Sequence, residues 1–151
     1  MADDPHVWVS GEDPEMVAAI RKAQAALPEF AEQLRMDSRR ILPALEVAVV
    51  KAFFPSPGTP AEGEHMFVDQ VQIDGDTVQG VLASEPSWIR GLKEGQEVRF
   101  PVSRISDWFY VIRKRGYGGF TLDVLRKRMS ADEYREAADF PPFSWFPPPS
   151  K

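Results

Sequence analysis

A histidine and a serine are the residues of this 151-residue chain whose types could support catalysis. His65 follows Glu64, and Ser84 stands downstream in a turn-rich segment. A histidine can act as a general base on a serine hydroxyl, with a carboxylate such as Asp69 or Asp107 orienting its ring. That arrangement would belong to a small hydrolase, or to a ligand-binding domain that uses His65 as acid and base.

The same residues also permit a non-catalytic interpretation, which we favour. No nucleophile-elbow motif surrounds Ser84, and a strand-end histidine beside a hydroxyl commonly fixes the strand by hydrogen bonding. Recognition of another protein would then use exposed aromatic residues and a polar edge. The candidate binding residues are His65, Ser84, Trp88, Asp107 and Trp108.

Metal and cofactor sites are disfavoured by the same inventory. The chain has no cysteine, and its two histidines, His6 and His65, have no ligand partners at metal-binding spacing. The basic, glycine-rich residues 113–119 precede a helix that Thr121 could cap, which suggests phosphate binding. Their spacing matches neither a P-loop nor a complete dinucleotide fingerprint. We therefore predict no metal, no cofactor, and a flexible turn at residues 113–119.

A β-hairpin must position the histidine and the serine. Asp74 and Gly75 are typical of a two-residue type I′ turn, and alternating apolar residues flank them on both sides. If these two residues form the loop, the register of the hairpin follows by counting outward. The predicted cross-strand pairs on one face are Val71 with Val78, Asp69 with Gly80, Phe67 with Leu82, and His65 with Ser84.

Helix signals occur on both sides of the hairpin. Asp13 and Pro14 are typical of a helix start, and Pro28 must kink that helix or begin a second one. Ser130 and Glu133 form a capping box for a short C-terminal helix. The apolar stripe expected to cover the sheet consists of Met16, Ile20, Ala23, Leu27, Phe30 and Leu34.

Three further strands are indicated by apolar and β-branched runs. Residues 46–54 form one such run, broken only by Lys51, which we interpret as a lysine that extends to solvent. Val98 and Phe100 mark a second strand, and the aromatic residues 107–112 mark a third. Together these elements predict an α+β fold. Its sheet would be a strongly bent antiparallel sheet or SH3-like open barrel of about five strands, packed by an N-terminal helix and short C-terminal helices.

Length and composition predict one folded unit. With 151 residues and 43% hydrophobic content, the chain can bury one sizeable core. We expect an N-terminal extension at 1–13, a single α+β domain at 14–139, and a tail rich in proline and aromatic residues at 140–151. The tail could serve as a proline-rich ligand for another protein. Because four exposed large aromatics would favour aggregation, we expect it instead to pack on its own domain.

The net charge of −5 is unevenly distributed. Residues 1–90 carry fifteen acids and seven bases, whereas residues 91–151 carry eight acids and eleven bases. Overall acidity disfavours nucleic-acid binding and favours a basic protein partner, such as a toxin blocked by an immunity or antitoxin protein. No apolar run is long enough for a membrane span, so we expect a cytoplasmic protein.

Several motifs together resemble the YegJ-like bacterial family of unknown function. They are Glu64-His65-Met66, Gly80-Val81-Leu82 and Ile105-Ser106-Asp107-Trp108, and the resemblance spans most of residues 14–128. The chain departs from the family pattern at Phe67, Ser84 and Gln96. The resemblance implies a shared fold and no known reaction.

Overall fold

A computed structural model describes residues 13–147, so His6 and the rest of residues 1–12 lie outside the described part. The helices are α1 (Pro14–Ala25), α2 (Leu27–Asp37), α3 (Phe120–Arg128) and α4 (Ala131–Ala137). The strands are β1 (Val47–Pro55), β2 (Gly63–Asp74), β3 (Thr77–Leu82), β4 (Glu97–Pro101), β5 (Ile105–Ile112) and β6 (Arg115–Gly118). Single 3-10 turns occupy Pro60–Glu62, Val102–Arg104 and Phe143–Trp145.

The strands form one antiparallel sheet in the order β4-β3-β2-β1-β5-β6. The sheet is open, with β4 and β6 at its edges, and the predicted α+β fold with a bent sheet is confirmed. The likeness to an SH3-like barrel stays a prediction.

The prediction of a flexible turn at residues 113–119 is wrong, because part of this segment forms β6. Arg113 and Lys114 make the tight turn before it with φ of 51° and 65°, and positive φ at both central positions is typical of type I′.

Two irregularities bend the sheet. The register between β1 and β5 shifts between Lys51 and Ala52, and that between β2 and β3 shifts between Asp69 and Gln72. Gln70 lies inside the second shift and takes φ of 52°. An extra residue on one strand bends it and increases its local twist, so β2 changes direction near its middle.

The predicted hairpin register is wrong. The loop consists of Gly75 and Asp76, because Asp74 already pairs with Thr77. Only Gly75 of these two takes a positive φ, of 59°, which is typical of a type II′ turn with glycine first. The shift between Asp69 and Gln72 then moves the register again. The resulting pairs are Ile73 with Val78 and Val68 with Leu82.

This register places Phe67 and Leu82 on different faces of the sheet. Leu82 is buried in the main core with Val68 and Val78, whereas Phe67 packs with Phe109 on the other side. The sequence pattern did not reveal the extra residue in β2. One unrecognised extra residue moves every side chain beyond it to the opposite face.

The N-terminal helices follow the sequence signals. The Asp13 side chain accepts a hydrogen bond from the Met16 amide at 3.2 Å and caps α1, while Pro28 lies in the first turn of a separate helix, α2. Ile20, Ala23 and Phe30 of the predicted stripe are buried, and its other members are partly buried against the core. The two helices therefore cover the sheet.

The C-terminal segments also pack on the domain. The capping box at the start of α4 is present, with Ser130 and Glu133 bonded in both directions. Trp145 and Phe146 contact Phe109, with ring centroids 5.9 Å apart in each case. The expected packing of the tail on its own domain is confirmed for Phe143, Trp145 and Phe146, whereas Phe140 is 66% exposed.

Candidate functional site

A buried carboxylate connects the centre of the sheet to helix α3. Asp107 is 2% exposed and accepts hydrogen bonds from three backbone amides, those of Trp108 at 2.8 Å, Phe120 at 3.0 Å and Thr121 at 2.8 Å. It also accepts a 2.5 Å bond from the Thr121 hydroxyl. Two of these amides belong to the first turn of α3, so Asp107 caps this helix from β5.

Thr121 was expected to cap the helix itself, and this expectation is wrong. The helix begins at Phe120 after Gly119, so Thr121 lies inside the first turn and contributes a donor. The same geometry bears on phosphate binding. Because Asp107 already occupies the amides of Phe120 and Thr121, an anion has no access to them.

A lysine lies beside the carboxylate. Lys51 pairs with Asp107 across the β1–β5 ladder, and its Nζ donates to the Thr121 hydroxyl oxygen at 2.7 Å. The expectation that Lys51 extends to solvent is therefore wrong. Burial lowers the pKa of the Lys51 ammonium, while the charge of Asp107 opposes that shift. Burial raises the pKa of Asp107, opposed by the bonds from Thr121 and by the charge of Lys51.

His65 joins the same network through a serine. Its Nδ1 lies 3.0 Å from the Ser106 Oγ, and that hydroxyl donates to the Lys51 carbonyl at 3.2 Å. Because a hydroxyl has one proton, the Nδ1 of His65 must be the donor to Ser106. The ring of Phe53 packs beside the imidazole, with centroids 5.2 Å apart. We call His65, Ser106, Lys51, Asp107 and Thr121 the polar network.

Ser84 is not the partner of His65, so that predicted pair is wrong. The Ser84 Oγ accepts a hydrogen bond from the Phe67 amide at 2.8 Å, which fixes the end of β3 against β2. The corrected hairpin register is the physical reason. A base and nucleophile pair between His65 and Ser84 is absent from the described structure.

A second carboxylate fixes a surface loop. Glu64 accepts hydrogen bonds from the amides of Ser87 at 3.0 Å, Trp88 at 3.0 Å and Ile89 at 2.9 Å. Although burial acts to raise the pKa of Glu64, these three donors hold it below its ordinary value. Trp88 remains 58% exposed on the loop. We call residues 84–89 the tryptophan loop.

Comparison with known proteins places the chain in a family. The model of a family described as an uncharacterized protein conserved in bacteria (DUF2314) matches residues 13–140. The chain belongs to this family. The chain is 32% identical over 123 residues to the uncharacterized protein YegJ of Escherichia coli K12. This relative confirms the resemblance to YegJ-like proteins. That match covers 80% of the chain and 74% of YegJ.

A second relative is longer. The chain is 35% identical over 137 residues to a protein of Neisseria meningitidis serogroup B that is provisionally named an ankyrin repeat protein. The match covers 90% of the chain and 54% of that relative, so the chain spans about half the relative's length. No solved structure matches the chain.

In this member of the DUF2314 family, the five predicted site residues divide into three environments. His65 and Asp107 share the polar network, and Ser84 and Trp88 lie in the tryptophan loop. Trp108 is 2% exposed in the main core, where its indole N–H donates to the Ala23 carbonyl at 2.9 Å. Trp108 is therefore a core residue.

Sequence reasoning missed two important roles. It treated Glu64 only as a neighbour of His65, and it placed Lys51 in solvent. Both side chains act on residues more than twenty positions away, so no local spacing identifies them. The sequence offered one hint for Glu64, the proline-containing turn at residues 84–88, because the backbone amides of a turn need acceptors.

Within residues 13–147, no three metal-ligating side chains lie close enough together to hold an ion. Among the described helices, none is long and apolar enough to cross a membrane.

Proposed function

We propose that the chain is a non-catalytic protein-binding module, of the immunity or antitoxin type, that binds and blocks a basic partner protein. The observation that carries this proposal is the tryptophan loop, in which Glu64 holds three consecutive amides and Trp88 stays largely exposed. Tryptophan is enriched among residues that dominate binding energy at interfaces. A loop that is already ordered loses less conformational entropy when a partner binds.

The polar network supports recognition over reaction. Asp107 is bonded to the first turn of α3, Lys51 donates to Thr121, and His65 is bonded to Ser106. Asp107 and Lys51 stabilise the contact between the sheet and α3, and His65 links β2 to β5 within the sheet. Ser84, which a hydrolase would use as nucleophile with His65, instead accepts a hydrogen bond from the Phe67 amide.

Electrostatics supports a basic partner. The chain carries a net charge of −5, and residues 1–90, which include Glu64 and Trp88, contain most of the acids. Complementary charge speeds association with a cationic protein and disfavours acidic ones.

Affinity capture with a tagged chain tests the proposal. Extract of the source bacterium is passed over wild type, Trp88→Ala and Leu42→Ala, and bound proteins are quantified by mass spectrometry. Leu42 is the matched control, because it is 81% exposed and lies outside the tryptophan loop. We expect one basic protein to be enriched by wild type and Leu42→Ala, and its affinity for Trp88→Ala to fall roughly thirtyfold. Equal capture by Trp88→Ala would contradict the proposed surface.

The hydrolase alternative is tested separately with His65→Gln. Wild type and variant are screened in parallel against ester, amide and phosphoester substrates. Our proposal predicts no turnover by either protein. Reproducible turnover by wild type that disappears in His65→Gln, with the fold retained, would replace binding by catalysis as the function.

A further inference from the structure

Strands β1 and β2 separate along part of their length. Their ladder ends at the pair Val50–Val68. Beyond this pair, β1 continues only against β5, as in the pair Val47–Val111, and β2 continues only against β3. Each strand therefore has an edge that faces the other and, within the described chain, belongs to no ladder.

A groove of about 890 Å³ lies where the two strands diverge. Helix α2 forms its third wall. The apolar part of its lining includes Leu34 from α2, Leu45 and Ala48 at β1, and Val71 and Ile73 from β2. The groove thus combines an apolar surface with two strand edges whose backbone groups can accept an added strand.

The rim of the groove is acidic. Its lining includes four carboxylates, Glu32, Asp37, Glu46 and Asp69, against one guanidinium, Arg35. Arg35 pairs with Glu32, and Asp37 pairs with a neighbouring arginine. Glu46 accepts a hydrogen bond from the Lys114 amide, and Asp69 accepts one from the Gln70 amide. Neither carboxylate takes part in an ion pair in the described structure. Their charges are therefore available to a cationic ligand.

We propose that this groove binds an extended, basic segment of a partner protein as an added β-strand between β1 and β2. The two edges without a ladder fit a ligand with a regular extended backbone. Side chains of such a strand alternate in direction, so apolar residues would face Val71 and Ile73 while basic residues would face the acidic rim. The site lies at the opposite end of β2 from Glu64 and is separate from the tryptophan loop.

Peptide binding tests this directly. The probe is a fluorescent ten-residue peptide of alternating lysine and valine, followed by fluorescence polarisation with the full chain. One control peptide carries N-methyl groups on alternate backbone nitrogens, and a second replaces lysine with glutamate. We expect the first peptide to bind, N-methylation to weaken it roughly tenfold or more, and the glutamate peptide not to bind. Equal binding of the N-methylated peptide would overturn strand addition.

Variants locate the binding. Glu46→Gln with Asp69→Asn keeps the acceptor oxygens and removes two charges, and Asp132→Asn on α4 is the matched control. We expect the double variant to bind roughly fivefold or more weakly at low salt, with the control and Trp88→Ala equal to wild type. Circular dichroism verifies that each variant is folded. An unchanged affinity of the double variant would refute the groove as the site.

The expected wild-type peptide affinity of Trp88→Ala separates this proposal from the proposed function. The groove and the tryptophan loop are tested by different variants, so either proposal can be refuted without the other. Analytical ultracentrifugation tests the competing occupant, a second copy of the chain. A dimer that the double variant disrupts would overturn the proposal in favour of self-association.

Discussion

Asp107 on β5 accepts a 2.5 Å hydrogen bond from the hydroxyl of Thr121 in the first turn of α3. Lys51 donates to the same hydroxyl oxygen at 2.7 Å, so β1, β5 and α3 meet at one buried point. A buried carboxylate is stable only when its oxygens are well bonded. The orientation of α3 on the sheet therefore depends on Asp107.

Replacing Asp107 with asparagine should destabilise the domain strongly. The amide would lose the carboxylate charge and place a donor among N–H groups, and Lys51 would lose its buried counter-charge. Breaking one partner of a buried charged pair typically costs about 3–5 kcal/mol. Urea denaturation measures the change, with Asp132→Asn as an exposed control expected to stay within about 0.5 kcal/mol. If both variants unfolded at a similar urea midpoint, Asp107 would not have this structural role.

The two tryptophans should separate stability from binding. Trp108 is buried against Phe30, with ring centroids 5.4 Å apart, whereas Trp88 is 58% exposed. We expect Trp108→Ala to cost about 3–5 kcal/mol and Trp88→Ala to stay within about 0.5 kcal/mol. Thermal and urea unfolding of both variants supply the comparison. If Trp108→Ala retained wild-type stability, the core placement would be incorrect.

The sequence was most informative where structure is local. The cap at Asp13, the second helix at Pro28 and the capping box at Ser130 each depend on residues at most four positions apart, and all three are present. The buried strands were recognised because their apolar residues fill both faces. The fold class follows from these elements.

The candidate site depended on information that the local sequence lacks. The loop position at Gly75 and Asp76, together with one extra residue near Gln70, changed the hairpin register and separated His65 from Ser84. Conversely, Lys51 and Thr121 meet although they are seventy positions apart. Such contacts are set by strand order and by the packing of α3, so a single sequence does not specify them.

Gly80 should tolerate no side chain. A Cβ at this position would lie 2.6 Å from the Val68 Cγ1 and 2.7 Å from the Asp69 carbonyl oxygen, beside the irregular part of β2. Because the second neighbour is backbone, the strand itself would have to move. We expect Gly80→Ala to cost about 1–3 kcal/mol. Gln72→Ala, on an exposed position of the same hairpin, is the control in urea denaturation, and equal stabilities would contradict the close approach.

Glu64 should make stability and loop order depend on acid pH. The pKa of Glu64 is below its ordinary value in the folded chain, because three backbone amides bond its ionised form and outweigh the effect of burial. Its stabilising contribution is therefore complete above the ordinary glutamate pKa and is lost as the pH falls through the lower folded value. We expect Glu64→Gln to cost about 1–2 kcal/mol near neutral pH.

The measurement is the free energy of unfolding of wild type and Glu64→Gln across acid pH. The difference between the two proteins should shrink as the pH falls from about 6 to about 3. Glu85→Gln, on an exposed position of the same loop, should follow wild type throughout. Amide hydrogen exchange at Trp88 and Ile89 should accelerate in Glu64→Gln, since both amides lose a charged acceptor. A constant difference at every pH, with unchanged exchange, would show that the Glu64 carboxylate does not hold the tryptophan loop in solution.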